Sequence, residues 1–429
     1  MLEYWIQNGE TVIKEEITKD FIKNALTSIF QQDGKNTAFS RAYFSQLNKN
    51  ASNIDFLTEF IVDSLQKQKE SNNKTCSFCH KYGAFKLKGW IFPYIITKEK
   101  FPNIYSNGKV ESLNICKKCA YKSILALNRV RFNAQKSGNV EYLSYIIFFS
   151  NTTDNLRRFY NVLQENIRPN YFRNITEYLV DQVYYPYEFL AALLYNIAIR
   201  LEDYEHYDLG SIIIGLTTGS KKIIGLTTGS KKIYETADII NYLNPVISAY
   251  RHLYNTNDKA FSMLFRRLRE EGGNDPNLYI KRNIFFKTFL KFRSVDWAIL
   301  EDILFYNISK NRTIPFINNF LHIIMNEFNM SEKELFKEVS NEGYKLGSEL
   351  LRSEDNRRDR VKPILYELRR KRKLEEFLDA INLLQLKVEK QFYDKPFKDN
   401  PERFPRLKTF FLIGMANAIF QGKGEKNES

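Results

Sequence analysis

Four cysteines are the residues of this chain whose type and spacing together dictate a chemistry. They form two CxxC pairs, Cys76-Ser-Phe-Cys79 and Cys116-Lys-Lys-Cys119. A CxxC turn lets two thiolates face one ion while neighbouring backbone N–H groups point at the sulfurs. Two such turns complete a closed tetrahedral four-cysteine site. The pattern predicts a structural Zn2+ held by Cys76, Cys79, Cys116 and Cys119, with no open coordination position and therefore no catalytic role for the metal. Disulfides need an oxidising compartment, and the N-terminus Met1-Leu-Glu-Tyr-Trp5 lacks the basic-then-apolar layout of an export signal. Cys76-x-x-Cys79-His80 also matches a haem-attachment pattern, but that reading leaves the second CxxC pair without a purpose. His80 is read as a neighbour of the first turn, not as a ligand.

Positive charge gathers around these cysteines. The whole chain carries +14, and residues 71–135 hold 12 Lys and Arg against 2 Asp and Glu. Four thiolates on one Zn2+ would remove about two units of that excess. What remains predicts a polyanion partner, above all nucleic acid, bound through counterion release. The candidate contacts are Lys81, Lys86, Lys88, Lys117, Lys118 and Lys122. Lys86 and Lys88 are expected on one face of a strand, with Phe85 and Leu87 on the other. The bland alternative is a solvated lysine face.

Two further basic clusters lie downstream. Residues 263–293 hold 8 basic and 3 acidic side chains, including Arg266, Arg267, Arg269, Lys281 and Arg282 around Gly272-Gly273. Residues 350–373 hold 10 and 4, including Arg357, Arg358, Arg360, Arg369, Arg370 and Arg372. Arginines so grouped fit bidentate phosphate contacts, and equally fit ion pairs with Glu349, Glu367, Glu375 and Glu376 at helical spacing.

The elements that must position these groups are mainly helical. With 429 residues, 43% hydrophobic and 15% aromatic, the chain is long enough for two to four globular domains at roughly 100–200 residues each. The expected class is mainly α with a small β-containing, zinc-ribbon-like module and a C-terminal helical bundle. Residues 1–70 are expected to be mostly helical, with Phe21, Ala25 and Ile29 on one face and Ile54, Leu57, Ile61 and Leu65 repeating the pattern. Residues 71–135 form the basic four-cysteine module, with Ser71–Lys74 a polar linker, strands around Phe85–Lys88 and Trp90–Ile96, and a helix over Ala120–Arg131. Residues 136–325 read as a helical body. Within it the ten residues Ile213–Lys222 recur without a mismatch at 223–232, read as a duplicated loop or hairpin. That repeat lacks the Gly-Lys-Ser/Thr ending of a phosphate-binding loop. Residues 326–429 read as a bundle opening on a capping box, Ser331-Glu-Lys-Glu334, just after Met330. The segment 331–429 holds 22 basic and 18 acidic side chains, and a chain started at Met325 or Met330 is expected to fold as a unit.

No constellation for catalysis is visible. His80, His206, His252 and His322 are scattered, and no HExxH, GxSxG or paired Asp-x-Asp pattern occurs. Binding is therefore expected, not catalysis. No stretch reaches the roughly 18 consecutive apolar residues of a membrane span, so no membrane partner and a cytoplasmic location are expected.

An N-terminal helical region, the widely spaced Cys76-Ser-Phe-Cys79 and Asn114-Ile-Cys-Lys-Lys-Cys119 words, and a long helical body together resemble the CRISPR-associated large-subunit family with the CXXC–CXXC signature, of type I-B Cascade complexes. The resemblance implies a subunit without catalysis of its own. It would recognise the protospacer-adjacent motif on duplex DNA, help open the duplex, hold the displaced single strand and recruit a helicase-nuclease. Its implied partners are a guide RNA and the backbone, small and guide-handle-binding subunits. Pairing with the guide would read the target while protein reads only the short motif. The resemblance also implies a C-terminal bundle like the small subunit, which such systems can make separately from an internal start. Two other expectations stand beside it: a stand-alone zinc-containing regulator or RNA-processing protein, and a nuclease with dispersed ligands.

Overall fold

A computed structural model of the chain describes residues 5–7, 10–12, 23, 31–32, 35–36, 54–69, 71–87, 114–126, 131–138, 140–166, 182–200, 207–218, 232–269, 275–312 and 314–420. The chain divides into two compact units. One is Met1–Arg173 with Ser211–Ile239, and the other is Asn174–Gly210 with Ile240–Ser429.

In the first unit, strands β1 (Trp5–Gln7) and β2 (Glu10–Val12) pair antiparallel, as do β3 (Gln31–Gln32) and β4 (Lys35–Asn36). The region expected to be mostly helical thus also carries strands, and most of the helix anticipated around Phe21–Ile29 falls outside the described residues. Helix α1 (Ile54–Lys67) matches its periodicity and buries Leu65. Strands β5 (Ser71–Thr75), β6 (Tyr82–Lys86) and β7 (Asn114–Ile115) make a three-stranded antiparallel sheet in that order. Ser71–Lys74, read as a linker, is a strand. Serine and asparagine disfavour strands on their own, but pairing with β6 satisfies their backbone, so tertiary context overrides propensity. Helix α2 (Lys117–Ala126) follows and stops short of Arg131, which instead opens β8 (Arg131–Ser137).

Strand β8 pairs antiparallel with β9 (Val140–Ser150), from Arg131 opposite Ile146 to Ser137 opposite Val140. The turn between them holds Gly138 at φ +56°, a left-handed conformation in which glycine avoids the Cβ penalty. Helix α3 (Thr153–Asn166) packs on β9. The ring of Phe159 meets Phe148 edge-on at 5.1 Å, and the Phe148 N–H donates to the Tyr160 hydroxyl at 3.2 Å.

Helix α4 (Pro186–Arg200) belongs to the second unit, and the chain then returns to the first for β10 (Leu209–Thr218) and β11 (Lys232–Ile240). The four strands order as β11-β10-β9-β8. The body expected to be helical therefore contains a sheet. The first copy of the duplicated segment begins inside β10, and the last residue of the second copy opens β11; positions 219–231 lie outside the described residues.

The second unit is helical. After α4 come α5 (Asn244–Thr256), α6 (Ala260–Arg267), α7 (Ile280–Phe292), α8 (Trp297–Ser309) and α9 (Ile317–Glu327). Then follow α10 (Lys333–Ser353), α11 (Arg358–Arg370), α12 (Leu374–Val388), α13 (Lys395–Asp399) and α14 (Phe404–Phe420). Helix α4 is buried from Pro186 to Ala198, as a central helix apolar on every side must be. The high aromatic content is spent here. Tyr195 stacks on Phe261 at 4.3 Å, Tyr250 meets Phe261 edge-on at 4.8 Å, and Phe289 and Phe320 close the cluster at 5.5 Å. Such pairs add about 0.5–1.5 kcal/mol each beyond burial. Among the described residues no helix is long and apolar enough to cross a membrane.

Helix α10 does not begin on the anticipated capping box. It starts at Lys333, no side chain caps it, and the Glu332 carboxylate instead holds Arg406 of α14. The C-terminal core also reaches upstream of residue 326. Trp297 of α8 meets Phe410 at 4.6 Å, Thr409 donates to Glu301 at 2.8 Å, and Tyr366 donates to the Phe305 carbonyl at 3.3 Å. A chain begun at Met330 would leave that wall of the core behind.

Helices α10 and α14 touch backbone to backbone. A Cβ added at Gly414 would lie 1.8 Å from the Ser340 carbonyl oxygen, and one at Gly343 would lie 2.1 Å from that of Phe411. Overpacking costs about 1–3 kcal/mol where side chains can shift; here only backbone can give way. Gly343→Ala should therefore cost about 3 kcal/mol, read as a drop in urea midpoint. A loss below about 1 kcal/mol would mean that the helices separate freely.

Candidate metal centre

The two CxxC turns are brought together by different means. The first is the loop joining β5 to β6: Cys76 N–H donates to the Lys81 carbonyl at 2.8 Å and His80 N–H to the Cys76 carbonyl at 2.9 Å, with His80 at φ +59°. The second sits where β7 becomes α2. Cys116 immediately precedes the helix and Cys119 lies in its first turn, where the positive end of the helix dipole favours thiolate. Ser77 and Asn114 clamp the turns to each other. Ser77 N–H donates to the Asn114 carbonyl at 2.9 Å, and Asn114 N–H to Ser77 Oγ at 3.1 Å. Both residues lie beside the cysteine pairs in the sequence, but a contact across 37 positions has no local signature.

The four sulfurs lie within 4.8 Å of one another. Cys79 Sγ and Cys116 Sγ are 3.7 Å apart. A tetrahedral ion with metal–sulfur bonds of about 2.3 Å has edges of about 3.8 Å, so the spacing fits one ion. It is far beyond a disulfide bond of about 2.05 Å, and none of the four cysteines is in a disulfide. Among the described residues His80 is not part of this cluster. Four cysteines so placed can hold a metal ion.

The electrostatics agree with a site meant for a cation. Burial opposes the Cys76 thiolate, but backbone hydrogen bonds from Cys116, Cys79 and Phe78 outweigh it and lower the thiol from its ordinary 9.0 to about 7. Burial pushes the Cys116 and Cys119 thiols up, and the neighbouring sulfurs push Cys119 further. Four crowded thiolates repel one another; a divalent cation among them removes that penalty.

No protein-family model matches the chain, and no curated protein does.

The basic residues differ in exposure and in the contacts they make. Lys81, Lys86 and Lys118 are exposed and Lys122 is half-buried, while Lys88 lies outside the described residues. Lys117 Nζ donates to the Gln66 carbonyl in the last turn of α1 at 3.4 Å, a helix-capping use of its charge. In the second cluster Arg266 is exposed and Arg267 is half-buried. Arg269 lies over the Tyr279 ring at 5.0 Å. Arg282 is not a surface cation at all: it is fully buried with Glu188.

In the third cluster Arg357, Arg358, Arg360, Arg370 and Arg372 are exposed, and Arg360 pairs with Glu354 at 3.5 Å. Arg369 instead donates to Glu301 at 3.0 Å and Asp302 at 2.6 Å, and lies over the Phe305 ring at 4.4 Å. Its guanidinium joins α11 to α8, so the ion-pair alternative holds for it, with partners other than those expected from helical spacing. Arg352 does pair with Glu349 and Lys371 with Glu367, at 3.1 and 3.6 Å.

Proposed function

We propose that this chain is the large subunit of a type I-B RNA-guided DNA surveillance complex, a nucleic-acid-binding protein whose basic module is stapled by Zn2+. The observation that carries this reading is the joining of a four-cysteine cluster to exposed Lys81, Lys86 and Lys118 on the same small sheet and helix. The words Cys76-Ser-Phe-Cys79 and Asn114-Ile-Cys-Lys-Lys-Cys119 add the family resemblance. Zinc would be held by Cys76, Cys79, Cys116 and Cys119, and supplies binding energy that fixes the β5–β6 loop against the start of α2. The lysines would then meet phosphates in a fixed register, as a motif-reading subunit requires. The guide RNA, the other Cascade subunits and the recruited helicase-nuclease are its proposed partners.

Co-expression with the neighbouring genes of its operon tests the reading. Co-purification of a guide RNA and a repeated backbone subunit is expected. Purification as a lone chain with activity on RNA or DNA would overturn it in favour of a stand-alone regulator, processing protein or nuclease. A second test addresses the surface itself. Changing Lys81, Lys86 and Lys118 to Glu should weaken binding to duplex DNA and flatten its salt dependence by about 0.9 per lost phosphate contact. An unaltered slope would reduce these lysines to a solvated face.

A further inference from the structure

Helix α12 (Leu374–Val388) has an inner face and a differently built outer one. Phe377 and Ile381 are its buried residues, and the Phe377 ring meets those of Phe397, Phe404 and Phe411 at 5.4, 5.5 and 5.7 Å. Leu383 and Leu386 are 68% and 77% exposed. Residues three apart are neighbours on a helix surface, so these two leucines share one turn. At about 100° per residue their face lies roughly opposite the Phe377–Ile381 face. Single exposed leucines are ordinary, but a pair on one turn is a contiguous apolar strip. The charge beside the strip is divided along the helix. Glu376 and Asp379 are exposed on its N-terminal side, and Lys390 is exposed just past the C-terminal end. Lys387, also on that side, already holds Glu354. Among the described residues neither Asp379 nor Lys390 is in an ion pair. The spacing reads the same in both directions: Asp379 precedes Leu383 by four positions, and Lys390 follows Leu386 by four.

We infer that the outer face of α12 is a self-association surface, on which the same helix of a second copy of this chain lies antiparallel. A two-fold axis between Leu383 and Leu386 sets Leu383 of each copy against Leu386 of the other, and Asp379 of each beside Lys390 of the other. Such an isologous contact needs a patch complementary to itself, which this divided charge supplies. Parallel pairing would set Asp379 against Asp379, a like-charge contact that disfavours it. The apolar strip is one turn long, so the dimer is a weak one, with a dissociation constant on the order of 10 µM. The inference uses none of the residues of the nucleic-acid reading and does not rest on it.

The test is sedimentation equilibrium of the full-length, metal-loaded chain between roughly 1 and 100 µM. The parent should pass from monomer to dimer across that range. Leu383→Ser combined with Leu386→Ser should raise the dissociation constant about a hundredfold, because each dimer loses four leucines. Asp379→Lys alone and Lys390→Asp alone should each raise it about tenfold, since each sets like charges together at two symmetric places. The two charge changes combined in one chain should restore the parent constant to within about threefold. All four positions are exposed, so the fold should tolerate the changes, and the charge-swapped chain carries the test if the serine variant folds poorly. A parent that stays monomeric overturns the proposal and leaves the leucines to a different protein. A dimer that the serine variant does not weaken places self-association on another face and overturns it too. A dimer weakened by both single charge changes but not regained in the combined one overturns the antiparallel match on which the second copy was chosen.

Discussion

Replacing Cys116 by serine is expected to abolish stoichiometric metal binding and to unfold the β5–β7 sheet together with the start of α2. Cys116 stands at the junction of the two turns, 3.7 Å from the Cys79 sulfur and accepting from the Cys119 N–H at 3.5 Å. It is the point where the loop of one hairpin meets the end of another strand. Among the described residues the support of that sheet is small: β7 has two residues, and the buried apolar side chains in and beside it are Ala84, Phe85, Ile115 and Ala120. Structural zinc contributes about 10–16 kcal/mol to small metallo-domains near neutral pH, so losing a ligand should cost much of the module's stability. Elemental analysis should find one zinc per chain in the unaltered protein and none in Cys116→Ser. Chelation should produce the same loss of protease resistance. His80→Ala should keep its metal, because His80 stands outside the cluster. A serine variant that retained both metal and protection would show that the sulfurs are only packed together.

A comparable effect is expected in the second unit from Arg282→Met. Arg282 and Glu188 are both fully buried and bonded at 2.7 Å. Glu188 lies in the first turn of α4 and reaches back to accept from the Tyr184 and Tyr185 N–H groups, so it caps that helix as well as pairing with α7. Arg282 also donates from Nη1 to the Phe265 carbonyl and from Nη2 to the Gln182 carbonyl, and lies 4.0 Å over the Phe265 ring. Burial pushes the Glu188 carboxyl up, while Arg282 and the two amides pull it down. Removing the arginine leaves a dry carboxylate without its cation, which costs about 3–5 kcal/mol in comparable buried pairs. Adding Glu188→Gln to Arg282→Met removes the second charge and keeps an acceptor for Tyr184 and Tyr185, so the double variant should recover part of that loss. Urea midpoints of the two single variants and the double decide it. An Arg282→Met variant within about 1 kcal/mol of the parent would mean that water reaches the pair.

The four-cysteine cluster was legible in the amino-acid sequence because its chemistry is local: two thiols three positions apart make a turn that can face one ion wherever the fold places it. Periodicity likewise located α1 and the helices beyond Met330, since a buried stripe repeats within one element. Strands built from poor strand formers were not legible. Ser71–Thr75 is a strand only because β6 supplies its hydrogen-bonding partners, and the helix expected through Arg131 gives way where β9 offers a ladder. The fate of each cation was decided by tertiary structure for a similar reason. Arg369 finds its carboxylates 67 and 68 positions away and Arg282 finds Glu188 94 positions away, distances that no window of helical spacing covers. The capping box at Ser331–Glu334 lost to a competitor of the same kind, the Arg406 guanidinium of a helix more than 70 residues on, which holds the adjacent Glu332. Local chemistry determined what could bind a metal; only the folded chain, by pairing charges across distant helices, determined which arginines became buried or bridged and which stayed at the surface.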